Sequence, residues 1–220
     1  MLVVVGGHTR NIGKTSVVAG LIAALPDFYW TALKITQYGH DACSTDGTAC
    51  ECAVSDLAHP FAITEETDGT SGTDTSRFLA AGARRSFWVR TAAGQLAYAM
   101  PDLRAILAAG NVIAESNSLL QFLKPDLYLA VLDYAASDFK QTSLQNLDRA
   151  DALVVIDRGM TQPQWPVAPR LWESKNRFLV RPPQWVTEDM AALVRGALKS
   201  STAAAESAAR RTGTLLPAKR

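Results

Sequence analysis

Val3-Val4-Val5-Gly6-Gly7-His8-Thr9-Arg10-Asn11-Ile12-Gly13-Lys14-Thr15-Ser16 decides how the rest of this chain is read. An apolar run of strand length passes through a glycine-bracketed loop into an apolar helical segment over residues 17–25. That order is what a phosphate-binding loop needs. Successive backbone N–H groups and the helix N-terminus surround an oligophosphate, Lys14 reaches its terminal oxygens, and the Thr15 hydroxyl is placed to ligate Mg²⁺. Gly7 and Gly13 let the backbone approach the phosphates. The spacing departs from G-x-x-x-x-G-K-[ST], because His8 stands where the first glycine belongs and the loop reads G-x-x-x-x-x-G-K-T from Gly7. His8 is placed either to touch a phosphate or to hydrogen-bond the loop backbone.

Working outward, strand-like runs are expected over 2–6, 29–36, 86–91, 111–115, 126–133, 152–157 and 178–181. Helical patterns are expected over 14–25, 75–83, 95–109, 116–123, 140–149 and 187–198, the second opening on an Asp/Thr cap and closing at Gly82. The runs at 112–114, 127–132 and 153–156 are apolar without polar alternation, which marks strands buried on both faces of a parallel sheet. The expected fold is an α/β three-layer sandwich, a mostly parallel sheet flanked by helices in the manner of P-loop NTPases. Residues 1–199 form one domain in this reading, since 220 residues hold one ample α/β domain and not two. Residues 200–220, small, polar and basic, read as a frayed helix or flexible tail.

Composition excludes little but bounds much. No apolar run is long enough to span a bilayer, and no charged leader precedes the first strand, so a cytoplasmic protein without membrane or nucleic-acid partners is expected. The net charge of +1 hides an asymmetry: residues 41–76 hold eight acids (Asp41, Asp46, Glu51, Asp56, Glu65, Glu66, Asp68, Asp74) and no Lys or Arg. This acidic stretch either is a solvated loop or contributes carboxylates that hold Mg²⁺ or repel the wrong end of a substrate. A connection over 37–72, with neither helical nor strand period, reads as an inserted loop. The segment 159–184, rich in proline and carrying Trp165 and Trp172, reads as irregular, its aromatics packing on the sheet or stacking a base or a partner subunit.

All three cysteines fall in that loop, as His40-x-x-Cys43, then Cys50-x-Cys52, then His59. Three thiolates with one imidazole, from His40 or His59, would complete a tetrahedral Zn²⁺ shell. Free or redox-labile thiols are the alternative, as are an iron–sulfur cluster and transient metal carriage.

Lys34-Ile-Thr-Gln-Tyr-Gly-His40 after the second strand and Gly72-Thr-Asp-Thr-Ser-Arg-Phe-Leu-Ala-Ala-Gly-Ala83 before the next give the chain a resemblance to the MobB family. These are P-loop nucleotide-binding proteins of molybdenum-cofactor guanine dinucleotide synthesis. Gly72, Asp74, Thr75, Arg77, Ala81, Gly82 and Ala83 match the family pattern, while Thr73 replaces its lysine. Glu115 stands where the family has a strand-end acid, followed here by Ser116 and not the usual glycine. The loop spacing is also similar to that of the dethiobiotin synthetase and cobyrinate amidase group.

The resemblance implies that Thr15, Glu115 and Asp74 hold Mg²⁺, with Lys14, Asp74 and Glu115 as the catalytic candidates. Glu115 has the alternative of capping the following helix, and Asp74 that of capping the helix at Thr75. Lys34 and Arg77 either neutralise phosphate or are surface cations. The nucleotide-binding candidates are Gly7, Arg10, Asn11, Ile12, Gly13, Lys14, Thr15 and Ser16, with Asp157 and Arg158 at the base. GTP-specific relatives end the corresponding strand in Asn-Lys-x-Asp, whereas this chain has Asp157-Arg-Gly-Met160, so GTP and ATP are both open.

Three functions follow as expectations. The first is a MobB-type Mg²⁺-nucleotide accessory of molybdenum-cofactor guanylation with slow hydrolysis. The second is an ATP-dependent kinase or synthetase of the dethiobiotin type, and the third a metal-handling protein with a nucleotide switch. A molybdenum-cofactor biosynthesis protein and a second copy of the chain are the candidate partners.

Overall fold

Alternating apolar strands and amphipathic segments assemble, in the computed structural model, into a single eight-stranded sheet covered on both faces; residues 1–38 and 61–211 are described, with side chains through residue 199. The strands are β1 (Leu2–Gly7), β2 (Thr31–Tyr38), β3 (Phe61–Glu66), β4 (Arg85–Ala92), β5 (Val112–Glu115), β6 (Leu127–Asp133), β7 (Ala152–Ile156) and β8 (Asn176–Val180). The α-helices are α1 (Lys14–Ala24), α2 (Asp74–Ala80), α3 (Leu96–Leu107), α4 (Gln141–Leu144) and α5 (Glu188–Arg211). Sheet order is β3-β4-β2-β5-β1-β6-β7-β8. All pairings are parallel except β3 with β4.

The expected three-layer α/β fold is the observed one. Every residue of β5, β6 and β7 is buried, as parallel strands covered on both faces require. The side-chain alternation of β1 divides the interior into two cores. Val3 and Val5 join Leu129, Val131, α1 and α5 on one face, where Val17, Leu21, Met190 and Val194 are wholly buried. Val4 joins Ala130, Leu132, α3 and the two tryptophans Trp165 and Trp172 on the other. Each fully buried aliphatic side chain contributes about 1.5–3 kcal/mol.

Helix α2 ends as its sequence anticipates. Gly82 takes φ 102°, its N–H bonds the Leu79 carbonyl at 2.9 Å, and the Ala83 N–H reaches back to the Phe78 carbonyl at 3.0 Å. This is the paired closure that a left-handed glycine permits.

Differences from the sequence reading have local causes. Part of the 37–72 connection is strand, because Phe61–Glu66 runs antiparallel along β4. Phe61 and Ile63 pack on the core while Glu65 is exposed and takes a two-pronged bond from Arg85 at 2.7 and 2.8 Å. A short edge strand ending in two acids carries too little periodicity to stand out. The helix expected over 116–123 is only a 3₁₀ turn at Ser118–Gln121. That expected over 140–149 breaks into α4 and a 3₁₀ turn at Leu147–Arg149. Asn146 sits at the break, donating to the Thr142 carbonyl and accepting from Arg149, an alternative to continuing the helix ladder. Helix α5 runs past residue 198 to Arg211. Among the described residues no helix is long and apolar enough to cross a membrane.

Candidate functional site

The carboxyl ends of β5, β1 and β6 meet where the chain, having started at the sheet centre, builds outward in both directions. Ligands of open α/β sheets bind at such points. Here lies the loop of residues 8–13. Asn11 (φ 54°) and Gly13 (φ 88°) take left-handed backbone, and the Gly13 carbonyl accepts the first helical bond from the Val17 N–H at 2.9 Å. A Cβ on Gly13 would stand 2.1 Å from the Trp185 ring, so both its dihedral and its space demand glycine.

Gly7 serves differently from the expectation. Its N–H donates to the Asn117 side chain and its carbonyl accepts from it, both at 2.9 Å, and a Cβ there would come within 2.8 Å of the Lys14 stem. Gly7 thus makes room for Lys14. Asn117, in turn, fixes the end of β1.

On the β6 side the loop rests on an aromatic wall. His8 is wholly buried; the Asp133 N–H donates to its Nε2 at 3.0 Å, so the ring proton sits on Nδ1 and goes to the Asp138 carbonyl at 2.8 Å. Burial lowers the His8 pKa, in keeping with this neutral tautomer. The ring lies 5.0 Å from that of Phe139 and 6.0 Å from that of Trp165. Trp165 then packs edge-on against Phe139, Tyr134 and Trp172 and donates its indole N–H to the Asp133 carbonyl. Trp165 and Trp172, each 3% exposed, are packed into the sheet. Of the two uses open to His8, the backbone one is observed.

On the β2 side the wall is ionic. Parallel register sets Lys34 beside Glu115 on neighbouring strands. Thr15 Oγ1 donates to Glu115 Oε2 at 2.7 Å, Lys34 Nζ donates to Glu115 Oε1 at 2.6 Å, and the same ammonium meets Asp74 Oδ2 at 2.7 Å. Burial alone would lower the Lys34 pKa, but Glu115 and Asp74 raise it. Burial likewise works against the charge on Asp74, and Lys34 overrides it, holding the carboxyl below the usual range. Arg77 donates to the Ser16 hydroxyl at 2.9 Å and stands 3.7 Å from Asp74.

Neither acid caps a helix. Thr73 is the N-cap of α2, its Oγ1 accepting from the Ser76 N–H at 3.1 Å, and Ser116 serves the turn after β5 by accepting from the Leu119 N–H. Asp74 is left to face Lys34. Glu66, at the end of the unforeseen β3, accepts the hydroxyls of Thr73 and Thr75 and the N–H groups of Thr67 and Asp68, which sets the start of α2. Those bonds, the Asp68 N–H foremost, lower its pKa.

These pieces enclose one cavity of about 910 Å³, lined by residues 10–16, Lys34 through Gln37, Gly72 through Thr75, Arg77, Trp88, Glu115 through Ser118, Lys140, Thr142 and Trp185. Of the residues expected in the site, Arg10, Asn11, Ile12, Gly13, Lys14, Thr15, Ser16, Lys34, Asp74, Arg77 and Glu115 are brought together here. Lys14 Nζ lies over the loop on the Thr9 carbonyl at 2.8 Å, its pKa lowered by burial.

Asp157 and Arg158 are not in the lining. Asp157 accepts from the Gly159 N–H and from Arg181, and Arg158 binds the buried Asp133 at 2.8 Å, so both side chains are committed outside the cleft. His40, Cys43, Cys50, Cys52 and His59 lie outside the described residues. Sequence reading missed Asn117, Lys140 and Trp185, and named Glu66 only as one of the eight acids of residues 41–76; of the first three, only the position of Asn117, two residues past the strand-end acid, offered a signal.

The donors at the head of the loop suit Mg²⁺. Thr15, Glu115 and Asp74 offer only oxygens, one hydroxyl and two carboxylates, which leaves the waters that this ion retains. When bound it would neutralise phosphate charge, while these residues fix its place. Among the described residues no set of three or more His, Cys, Asp or Glu side chains gathers as a metal shell.

A glycine-bracketed loop between a central parallel strand and a helix, with lysine, hydroxyl and facing strand-end acid, is the arrangement with which P-loop α/β folds cradle phosphates. No family model and no curated protein matches the chain. Among solved structures it is similar to LpxK from Aquifex aeolicus in complex with ATP, with 17% identity and a TM-score of 0.47 over 81% of this chain and 53% of that one. It therefore spans about half the length of that structure. It is also similar to HypB from Helicobacter pylori in complex with nickel, with 12% identity and a TM-score of 0.44 over 99% of this chain and 91% of that one.

Proposed function

We propose that this chain binds a magnesium nucleoside triphosphate on the loop of residues 8–13 and uses it to act on, or to present, a second small ligand in the same cleft. The observation that carries the reading is the unbroken series Thr15, Glu115, Lys34, Asp74 at the head of the loop, inside a cavity that continues past it to Thr36, Gln37 and Trp88. A triphosphate seated on the loop brings its terminal phosphate to Lys14 and Thr15. The polar shelf beyond, where the Trp88 indole donates to Thr36 at 3.0 Å, is left for the second ligand.

The resemblance to MobB supports an accessory role in molybdenum-cofactor guanylation, because two residues of its helix motif, Asp74 and Arg77, turn toward the loop and reach Lys34 and Ser16. An ATP-dependent kinase or synthetase would use the same compartment. In either case the protein contributes charge stabilisation and positioning. Both lining carboxylates sit on Lys34, so neither is an uncommitted general base, and hydrolysis without a partner is slow. With Asp157 and Arg158 engaged elsewhere, ATP and GTP are both candidates.

Calorimetry of the full chain with ATP and GTP, with and without Mg²⁺, tests the reading, followed by phosphate release with and without added molybdopterin. Mg²⁺-dependent binding of at least one triphosphate is expected. Absence of binding by both would overturn it.

A further inference from the structure

Among the described residues five cations line the cleft, Arg10, Lys14, Lys34, Arg77 and Lys140, against the two acids Asp74 and Glu115. They are not equivalent. Lys34 is held by both acids and Arg77 by Asp74 and Ser16, so these two positive charges are already answered. Among the described residues, Lys14 has only the Thr9 carbonyl as a hydrogen-bond partner. Among the described residues, neither Arg10 nor Lys140 has a carboxylate within ion-pairing distance.

Lys140 is also held in place. It sits at the start of α4, half-buried, and its backbone N–H donates to the His8 carbonyl at 2.8 Å. Two residues earlier, Asp138 accepts the His8 ring proton through its carbonyl and the Thr9 hydroxyl through its carboxylate. The segment after β6 is thus stitched to the loop by three bonds, and Lys140 is the cation it carries into the loop's cavity.

Resting on the triphosphate reading above, we propose that Lys140 is a second phosphate-binding lysine, closing on the oligophosphate from the segment after β6 while Lys14 and Arg10 hold it from the loop. A triphosphate brings more negative charge than Lys14 alone answers, and a lysine supplies a compact cation to a phosphate oxygen. The arrangement couples binding to pH. Burial, then Lys14 and Arg10, push Lys140 down to about 8; Lys34 on β2 adds to this, and Asp138 opposes it. Near that pH a share of the empty protein carries Lys140 uncharged, and an arriving phosphate restores the proton. Triphosphate binding therefore takes up protons, and affinity falls as pH rises through that range.

The experiment is calorimetry of the full chain at pH 8 with Mg²⁺-ATP and Mg²⁺-GTP, each in two buffers of different ionisation heat. The wild type is expected to take up roughly half a proton on binding. Lys140→Met should bind about tenfold more weakly with the uptake gone, and lose less for the monophosphate. Lys140→Arg, whose cation does not titrate, should keep the affinity and lose the uptake. Wild-type affinity and uptake in Lys140→Met, with its circular dichroism unchanged, would overturn the assignment while leaving the triphosphate site standing. Failure of the wild type to bind either triphosphate would overturn both.

Discussion

The two walls against which the phosphate loop rests are made of different materials. On the β6 side, His8 is sealed beneath Phe139 and Trp165 with both ring nitrogens spent on backbone. On the β2 side, Lys34 and Asp74 are 19% and 39% exposed and share a proton-rich contact with Glu115 and Thr15. Bonds to fixed backbone under an aromatic lid have one geometry available. An ammonium between two carboxylates can be released when another cation arrives, because the carboxylates keep a partner throughout. The first wall sets where the loop is, and the second answers what enters it.

The largest expected effect strikes the aromatic wall. Trp165→Ala should cost about 3–5 kcal/mol in denaturant unfolding while the folded fraction keeps its triphosphate affinity within about twofold. A large affinity loss without a stability loss would reverse the division. Lys14→Ala should do the opposite, lowering triphosphate affinity about a hundredfold by calorimetry with no loss of unfolding free energy. Glu115→Gln sharpens the ionic wall further. It removes a hard anionic ligand and keeps the shape, so affinity should drop about tenfold in saturating Mg²⁺ and little without it. Equal losses with and without the ion would return Glu115 to a role in packing.

The smallest effect separates the walls by pH. His8 has its pKa lowered in the folded state from 6.5, so its contribution is complete above pH 6.5 and is lost as pH falls through the window beneath. The slope there approaches the one-proton limit of about 1.4 kcal/mol per pH unit. Asp74, lowered from 3.8, contributes above pH 3.8 and loses its contribution only below it. Urea unfolding from pH 7.5 to 5, with the His8 ring followed by NMR, should show the first loss alone. An imidazole that charges above pH 6.5 without any change in stability would contradict the buried neutral ring.

This contrast also explains which parts of the molecule could be read from the sequence. The central strands and the loop were legible because doubly covered strands are continuous apolar runs, and because Gly13-Lys14-Thr15 stands between a strand and a helix. The ionic wall was legible by residue, through Lys34, Asp74 and Glu115, but not by role: the cap of α2 is Thr73, and only strand register puts Lys34 beside Glu115. Lys140 and Trp185 were illegible since nothing in their neighbours announces a phosphate site, and Asn117 offered only its place two residues past the strand-end acid. They reach it by folding from far along the chain. Strand β3 was missed because its short sequence, at an edge, is an apolar half followed by Thr64 and two acids, without alternation.

The position of β1 has a further consequence for how the molecule is made. Strand β1 lies between β5 and β6, and its loop abuts Trp185, so Val3, Val4 and Val5 meet neither neighbouring strand until Val112–Glu115 has been translated. Until then they emerge as an apolar segment without its sheet, an aggregation-prone interval that chaperones guard. Every bond that pins β1 spans more than 100 residues, which makes its incorporation a late, loop-closing event in folding. A ribosome-bound chain stopped before Trp185 has its phosphate loop without the indole that backs Gly13. Nucleotide added during synthesis should then stabilise only chains that extend past Trp185.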